Sequence, residues 1–307
     1  MLAGGVGAAK FLRGLIRVTD PARLTVVVNT GDDERFYGLA VSPDLDTVTY
    51  TLAGAANPRT GWGLRDDTFA CLGALERFHG PAWFHLGDRD LATHVYRTER
   101  LAAGATLARV TDEVRRAFGV RTRLLPMSND PVRTVLETAR GRLSFQRYLV
   151  AHRARPRVDA VRYLGAPRAR PAPGVLRALG AADLVIVSPS NPFLSIGPIL
   201  AVPGVRATLA ARRHGSVVAI SPLVGGRAVS GPLARLLRRF DLPRSSAGIA
   251  ACYRPFLDAL VIDERDRADA PALRALGCTP VVARTLFDRP ARAAAAARRL
   301  LAALTPS

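Results

Sequence analysis

The chain has 307 residues, 49% of them hydrophobic, which is enough for one large α/β domain or two smaller ones around a sizeable core. Its formal net charge is +19, but almost every basic residue is arginine, and the arginines are spread along the chain without an aromatic stacking platform. We therefore predict no nucleic-acid partner and ascribe much of the charge to a GC-rich coding sequence, although part of it could serve an anionic ligand.

The sequence shows no feature of a membrane or secreted protein. No apolar run reaches the roughly 18 to 20 uncharged residues that a membrane-spanning helix needs. Lys10 and Arg13 interrupt any signal-peptide pattern at the N-terminus. Cys71, Cys252 and Cys278 are far apart and match neither a metal-binding spacing nor a disulfide framework. Together these features predict a cytoplasmic protein.

The first element in chain order is the glycine-rich start MLAGGVGAAK (1–10), which leads into an apolar run. Such a turn at a helix start exposes backbone amides to an anion, so Gly4, Gly5, Gly7 and Lys10 are candidate phosphate ligands, the amides more than the lysine. The stretch matches neither a Walker A motif nor a full GxGxxG pattern, and a small-residue turn is the alternative. Because only three residues precede the glycines, we expect a natural start upstream or a frayed terminus.

A buried strand over residues 24–28 is followed by four carboxylates, those of Asp32, Asp33, Asp44 and Asp46. Crowding carboxylates near one strand end is costly unless a cation compensates, and magnesium with its oxygen ligands is the natural candidate. One of the four could instead accept a proton from a substrate hydroxyl. The alternative is that the segment PDLD only caps a helix.

Further short apolar runs have the composition of buried parallel strands, over residues 183–187, 216–220, 259–262 and 279–283. Helical stretches alternate with them, over residues 204–213, 232–240 and 290–304. This alternation predicts a doubly wound α/β fold with a mainly parallel sheet and ligands beyond the carboxyl ends of its strands.

The middle of the chain, residues 61–170, is predicted to be an inserted α+β subdomain, packed against a core formed by residues 1–60 and 171–307. It contains predicted helices over 68–78 and 106–118 and predicted strands over 143–150 and 160–164. The insertion also carries polar residues that could contact a ligand.

In that insertion, the segment HLGDRDLATH (85–94) combines glycine, charge and a helix start. Asp88, Arg89 and Asp90 could form a local ion-pair turn. His85 could hydrogen-bond a ligand, whereas His85 and His94 lack a convincing third ligand for a metal site.

Two later strand ends suit an anionic or nucleotide ligand. SPSNPFLSIGPIL (188–200) places Ser190 and Asn191 after a strand, where a proline-punctuated turn is the alternative. SPLVGGRAVSGP (221–232) is a second glycine-rich passage, and its Arg227 could reach a phosphate. No GxSxG elbow and no Cys/His pair supports nucleophilic hydrolysis.

Nine segments taken in order carry a family resemblance: GGVGAAKFLRGL, NTGDD, SPDLDTVTYTLAG, GWGLRDDTF, LGDRDLATH, LPMSNDPVRT, PSNPFLSIGPILAVPG, SPLVGGRAVSGP and VIDERD. They closely resemble the 2-phospho-L-lactate transferase family, named CofD, or FbiA in actinobacteria. The resemblance spans essentially the whole chain.

The resemblance implies an enzyme of deazaflavin coenzyme factor 420 biosynthesis. Such enzymes transfer a phospholactyl or phosphoenolpyruvyl group from a guanosine diphosphate-linked donor to the ribityl hydroxyl of 7,8-didemethyl-8-hydroxy-5-deazariboflavin. GMP leaves and magnesium is required. The resemblance further implies a Rossmann-like fold with an inserted subdomain and a homodimer.

Residue roles follow by position from the same resemblance. Asp46 and His85 match residues that contact the deazaflavin, although archaeal members carry lysine in place of His85, and the neighbouring Asp88 and Arg89 join them as acceptor candidates. Asp32 and Asp46 would be the first metal candidates. The opening glycines and the Ser190–Asn191 loop would face the guanosine donor.

The chemistry of the residues is consistent with these roles. Attack of a hydroxyl oxygen on a diphosphate needs in-line positioning and charge neutralisation more than covalent help. Asp32 or Asp33 would bind the metal ion, Asp33 and Asp46 are the catalytic candidates, and Asp46 would orient or deprotonate the hydroxyl. The rival interpretation is a non-catalytic nucleotide-sugar-binding regulator of the YvcK type, against which PDLDTVTYTL and LGDRDLATH argue.

Overall fold

The computed structural model of the protein describes residues 1–212 and 216–304. Its strands are, in chain order, β1 (Leu2–Ala3), β2 (Thr25–Val28), β3 (Glu34–Phe36), β4 (Leu39–Val41), β5 (Arg123–Pro126), β6 (Arg133–Thr138), β7 (Gly141–Ser144), β8 (Val158–Leu164), β9 (Val185–Val187), β10 (Val217–Ile220), β11 (Leu223–Val224), β12 (Arg227–Ala228), β13 (Ala259–Asp263) and β14 (Thr279–Ala283).

Its α-helices are α1 (Gly5–Leu15), α2 (Pro43–Leu52), α3 (Ala70–His79), α4 (Asp90–Ala102), α5 (Leu107–Ala117), α6 (Val175–Ala181), α7 (Gly197–Ala201), α8 (Val205–Ala210), α9 (Leu233–Arg239), α10 (Ser246–Cys252), α11 (Ala270–Ala275) and α12 (Pro290–Leu304). Two π-helical turns cover Arg147–Ala151 and Pro192–Ile196. Among the described residues, no helix is long and apolar enough to cross a membrane.

Seven strands form one parallel sheet in the order β14-β13-β10-β9-β1-β2-β5, which confirms the predicted α/β class. Successive residues of a strand point to opposite faces, so Val26 and Val28 of β2 join one core cluster and Val27 joins the other. Helices α1, α2 and α12 cover the first face, and α6 to α11 contribute to the second. The sheet is therefore buried on both sides, as its continuous apolar strands require.

Strand β1 lies in the middle of the sheet although it has only two residues. Leu2 pairs with Val27 of β2 and with Val187 of β9, and the Met1 ammonium donates a 2.7 Å hydrogen bond to the Thr25 carbonyl. These first residues are buried. The expectation of a frayed terminus was therefore wrong, because neighbours on both sides hold the short strand.

The region predicted as an insertion contributes to the core as well. Strand β5 lies within residues 61–170, yet it pairs with β2 at the edge of the central sheet. The rest of the region forms helices α3 to α5 and a separate antiparallel sheet in the order β7-β6-β8. The predicted domain boundaries must therefore be corrected, because β5 lies within residues 61–170 and yet belongs to the core sheet.

Two further predictions differ from the structure in detail. The strand predicted over 143–150 ends at Ser144 in β7, and a π-helical turn replaces its second half because Gln146 and Tyr148 turn into the protein. The helix predicted over 204–213 is observed as α8, and residue 213 lies outside the described residues.

The strand order reverses at β1. From β1 the chain continues to β2 and β5 on one side, and it returns to β9, β10, β13 and β14 on the other side. The helices that follow β1 and β9 cover opposite faces of the sheet. In open α/β sheets, ligands bind at such a switch point, at the carboxyl edge of the sheet, and we call this place the crevice.

Candidate functional site

The glycine-rich start and the loop after β9 pack against each other at this crevice. A side chain on Gly4 would place its Cβ 2.8 Å from Ser195 Cβ, and one on Gly7 would lie 2.5 Å from the Pro189 carbonyl oxygen. The Ser190 hydroxyl donates a 2.6 Å hydrogen bond to the Gly4 carbonyl. The structure thus brings together the two predicted segments, and Gly4 and Gly7 are needed for this close approach.

Gly5 begins α1 with a φ of +72°, a left-handed conformation that favours glycine. Its backbone N–H donates to the carboxylate of Asp44. A phosphate that reaches this helix terminus would therefore meet an internal carboxylate. The two negative groups would repel each other at close range unless a cation lies between them.

The other predicted donor ligands lie in different settings. Asn191 accepts hydrogen bonds from two backbone N–H groups of the following π-helical turn, at 2.9 and 3.2 Å, so its side chain caps that turn. Lys10 is exposed on the second turn of α1. Arg227 is exposed in the β11–β12 hairpin, whose glycine amides donate to the carboxylate of Asp266.

A cluster of carboxylates lies beside the crevice, after β2 and at the start of α2. The Asn29 amide donates to Asp32 Oδ1 (3.2 Å) and to Asp44 Oδ2 (2.9 Å), so one side chain bridges two carboxylates. The Gln146 amide donates to the other oxygen of Asp32, at 3.2 Å. Asp33 is the third member, and its Oδ2 accepts a 2.7 Å hydrogen bond from the Ser42 hydroxyl. We call Asp32, Asp33 and Asp44 the carboxylate cluster.

Burial makes the charged form of each member of this cluster unfavourable. It raises the pKa of Asp33 to about 7 and, in spite of the hydrogen bond from Asn29, the pKa of Asp44 to about 6. Burial, and then the charges of Asp44 and Asp33, raise the pKa of Asp32 well above its usual range. Among the described residues, Asp33 Oδ1 is buried without a hydrogen-bond partner. The charges of Arg133 and Arg97 partly oppose these shifts, but no basic side chain among the described residues makes an ion pair with the cluster.

Asp46, in contrast, has a full set of partners. Its two carboxylate oxygens accept hydrogen bonds from the two terminal nitrogens of the buried Arg97 guanidinium. Behind it, His94 lies between two acids, with Nδ1 3.8 Å from Asp46 and Nε2 3.3 Å from Asp90, and the Tyr50 hydroxyl donates to Asp90 at 2.6 Å. We call these five residues the ion-pair network.

The geometry of α2 separates the two groups of acids. Residues two positions apart on an α-helix are rotated by about 200°, so Asp44 and Asp46 face in nearly opposite directions. The Asp44 carboxylate lies next to Gly4 and Gly5 at the start of α1, and the Asp46 carboxylate binds Arg97 of α4. The predicted pairing of Asp32 with Asp46 at one cation is thus less favourable than a pairing of Asp32 with Asp44.

The acceptor candidates lie at the entry to helices α3 and α4. Asp88 accepts hydrogen bonds from the backbone N–H groups of Ala70 and Cys71, both at 2.9 Å, and so caps α3. Arg89 and His85 are exposed, and the His85 ring contacts the edge of Phe69. Arg89 and His85 are thus open to a ligand, whereas Asp88 holds the local backbone.

Sequence reasoning missed Asn29 and Gln146, which hold the carboxylate cluster, and Arg97, which pairs with Asp46. It named Asp90 and His94 but did not connect them with Asp46, which they support together with Arg97. Asp90, His94 and Arg97 are spaced by four and then three residues. This spacing indicates one shared helix face and could have been recognised in the sequence. No local pattern could have shown Gln146, which is 114 residues away from Asp32.

The donor set suits a hard divalent cation. No group of three or more His, Cys, Asp or Glu side chains in the described part of the chain is arranged to hold a metal ion by itself. Mg²⁺ usually takes one or two carboxylates and completes its shell with water and substrate phosphates. The unpartnered oxygen of Asp33 and the adjacent carboxylates of Asp32 and Asp44 fit that requirement.

Comparisons with known proteins cover most of the chain. A family model described as 2-phospho-L-lactate transferase CofD matches residues 1–284. The chain is 40% identical over 289 residues to the 2-phospho-L-lactate transferase of Methanospirillum hungatei, covering 93% of this chain and 96% of that protein. It is 41% identical over 283 residues to the phosphoenolpyruvate transferase of Kitasatospora aureofaciens, covering 90% of this chain and 88% of that protein.

Among solved structures, a member of the UPF0052 family from Bacillus halodurans is similar in fold. The TM-score is 0.61 at 18% sequence identity, and the match covers 97% of this chain and 96% of that chain. At this identity the likeness shows the fold alone.

Proposed function

Because the chain belongs to the 2-phospho-L-lactate transferase CofD family, we propose that it transfers a phosphorylated three-carbon acid group to a deazaflavin. The donor would be a diphosphate in which guanosine monophosphate is joined to the phosphate of phosphoenolpyruvate or 2-phospholactate. The acceptor would be the ribityl hydroxyl of 7,8-didemethyl-8-hydroxy-5-deazariboflavin, and GMP would leave. The product would enter the biosynthesis of coenzyme factor 420.

The observation that carries this proposal is the carboxylate cluster at the crevice. Asp32, Asp33 and Asp44 lie close together near the start of α1, and in the described part of the chain no positive charge is ion-paired with them. A diphosphate bound with a divalent cation would supply that charge and occupy the crevice. A ligand of this kind suits phosphoryl transfer, in which positioning and charge neutralisation are the main tasks of the protein.

In the proposed reaction, the ribityl hydroxyl oxygen forms a bond to the phosphorus that carries the acid. The bond from that phosphorus to the bridging oxygen breaks, and GMP leaves with the electron pair. We assign Asp33 as the group that accepts the hydroxyl proton, because its Oδ1 is free and its pKa of about 7 is near the working pH.

Asp32 and Asp44 would hold magnesium, with Asp33 adjacent to it. When bound, the ion would neutralise charge that develops on the diphosphate. Asn29 and Gln146 keep the two carboxylates in place through the hydrogen bonds described above. Asp46 retains its predicted contact with the acceptor, and Arg97 would fix its orientation.

The test is a reaction of the purified protein with the deazaflavin, magnesium and each guanylylated donor in turn. Mass spectrometry should find a phosphorylated deazaflavin, and chromatography should find GMP in equal amount. No product from any donor, together with tight binding of a UDP-sugar, would favour a YvcK-type regulator instead. Size-exclusion chromatography with light scattering would test the predicted homodimer.

A further inference from the structure

A second polar cleft lies away from the crevice, next to the three-stranded sheet β7-β6-β8. Its volume is about 420 Å³. It lies between the turn that joins β6 to β7 and the loop that follows the first π-helical turn. Its walls are Arg140, Ala151, His152, Arg153, Arg155 and Pro156. None of these residues belongs to the carboxylate cluster, the ion-pair network or the predicted donor and acceptor ligands.

The arginines of this cleft have no acidic partner. Within residues 1–212 and 216–304, Arg140, Arg153 and Arg155 make no ion pair with a carboxylate. The neighbouring arginines do: Arg142 and Arg162 each lie 3.5 Å from Glu137, and Arg157 lies 3.4 Å from Asp159. Three guanidinium groups and an imidazole thus line one concavity without compensating charge, although acids lie on the same sheet.

The backbone that carries two of these arginines is held in an uncommon conformation. Arg153 and Ala154 are consecutive residues with φ of 49° and 51°, a left-handed geometry that residues other than glycine rarely adopt. Ala154 is buried, and its N–H donates to the Tyr148 carbonyl at 2.8 Å. The guanidinium of Arg235 donates to the Ala154 carbonyl. The loop is therefore fixed, and it presents the side chains of Arg153 and Arg155 to the cleft.

We propose that this cleft binds a small, multiply charged phosphate compound, such as a diphosphate, at a site separate from the proposed transferase site. Planar guanidinium groups match phosphate oxygens in paired hydrogen bonds. The volume lies within the range of small-molecule sites. A single-stranded nucleic acid would need aromatic stacking partners, and none of the six lining residues is a Phe, Tyr or Trp.

The first test is residue-resolved and uses the unaltered protein. Phenylglyoxal modifies accessible arginines, and peptide mass spectrometry measures the rate at each one. Without divalent cations, inorganic pyrophosphate should slow the modification of Arg140, Arg153 and Arg155 at least about fivefold. Arg157 and Arg162 should react at unchanged rates. If pyrophosphate leaves the modification rate of each of the five arginines unchanged, the proposal is overturned.

The second test is calorimetric titration of pyrophosphate into matched double variants. Arg140→Ala/Arg153→Ala should lose this binding event or weaken it about tenfold or more, as expected for two lost charge-assisted hydrogen-bonding groups. Arg157→Ala/Arg162→Ala removes the same charge from residues that do not line the cleft and should bind as the unaltered protein does. Equal weakening in both variants would show a general charge effect and overturn the site. Protection by a single-stranded oligonucleotide, but not by pyrophosphate, would overturn the small-anion assignment in favour of nucleic acid.

Discussion

The carboxylate cluster and the ion-pair network are built from the same residue type, but they differ in how their charge is balanced. Asp44 and Asp46 both come from the first turns of α2. The side chains that hydrogen-bond the cluster of Asp44 are neutral amides and a hydroxyl, and Arg133 and Arg97 act on it without an ion-pair contact. Both oxygens of Asp46, in contrast, are paired with Arg97. A buried acid without a cation is prepared to receive one, or a proton, whereas a buried acid with a cation is held in place.

The largest expected effect separates the two regions by activity. Asp33→Asn should lower turnover about 10²- to 10⁴-fold, as expected when a general base is removed. In the unaltered protein, kcat/KM should rise as pH increases through the pKa of Asp33, which is about 7 without a metal ion and is lowered by a magnesium ion next to it. This rise should be absent from the residual activity of Asp33→Asn and present in Asp46→Asn. A rise that disappears in Asp46→Asn alone would show that Asp46 is the base.

The next effect concerns stability and the ion-pair network. Arg97→Met leaves the buried carboxylate of Asp46 unpaired and should lower the free energy of unfolding by about 3–5 kcal/mol, measured in urea. Adding Asp46→Asn should recover part of this loss. As a control, Arg109→Met removes an exposed ion pair with Glu113 and should cost less than about 1 kcal/mol. Similar losses in the two single variants would contradict the distinction between the buried and the exposed pair.

A smaller effect is the pH dependence of the carboxylate cluster. The folded state raises the pKa of Asp33 to about 7 and of Asp44 to about 6, so it binds more protons than the unfolded chain between about pH 4 and 7. The contribution of these groups to stability is therefore present below about pH 4 and is lost as pH rises through 7. Without divalent cations, Tm should fall between pH 5.5 and 8 by more in the unaltered protein than in Asp33→Asn.

Magnesium extends the same experiment. Millimolar Mg²⁺ should raise Tm more at pH 8 than at pH 5.5, because the ion competes with protons for the same carboxylates. An equal rise at both pH values, or an equal rise in Asp32→Asn/Asp44→Asn, would place the ion elsewhere.

The smallest effect tests the uncharged wall of the crevice. Gly7→Ala forces a Cβ to within 2.5 Å of the Pro189 carbonyl and should lower the free energy of unfolding by about 1–3 kcal/mol. Gly73→Ala is the matched control in α3, where the new Cβ meets nothing within 4 Å and should be neutral or stabilising by up to about 1 kcal/mol. Chemical denaturation of both variants measures the difference. A Gly7→Ala protein as stable as Gly73→Ala would show that the two loops do not need their close approach.

Much of the fold could be read from the sequence because its strands are continuous apolar runs between polar strand ends. Strand β14 and helix α12 have their predicted bounds. The failures have local causes. Strand β1 has too few residues for a pattern to predict its position in the sheet, and Gln146 begins a π-helical turn inside a strand-like composition. Strand β5 was assigned to the insertion. Its membership of the central sheet depends on its pairing with β2, which is distant in sequence and leaves no local pattern.

The site was predictable as a set of segments, and less so as a set of roles. The glycine-rich start and the Ser190 loop do pack together, because both follow strands that flank the switch point. Asp44 and Asp46 have different partners because the helix rotates them to different sides. Counting the acids near a strand end does not take this rotation into account. Asn29 lies in the segment NTGDD and Arg97 in none of the nine segments, but neither was a candidate, since their importance lies in the carboxylates that they contact.

The central position of β1 also has a consequence for the order of assembly during translation. Its two hydrogen-bonding neighbours are β2 at residues 25–28 and β9 at residues 185–187. At about 5–20 residues per second, a ribosome needs roughly 10–40 s to reach β9 after it has made β1. Throughout that interval one edge of the nascent β1 is unpaired, so the contact between the glycine-rich start and the Ser190 loop cannot form before more than half of the polypeptide has been synthesised.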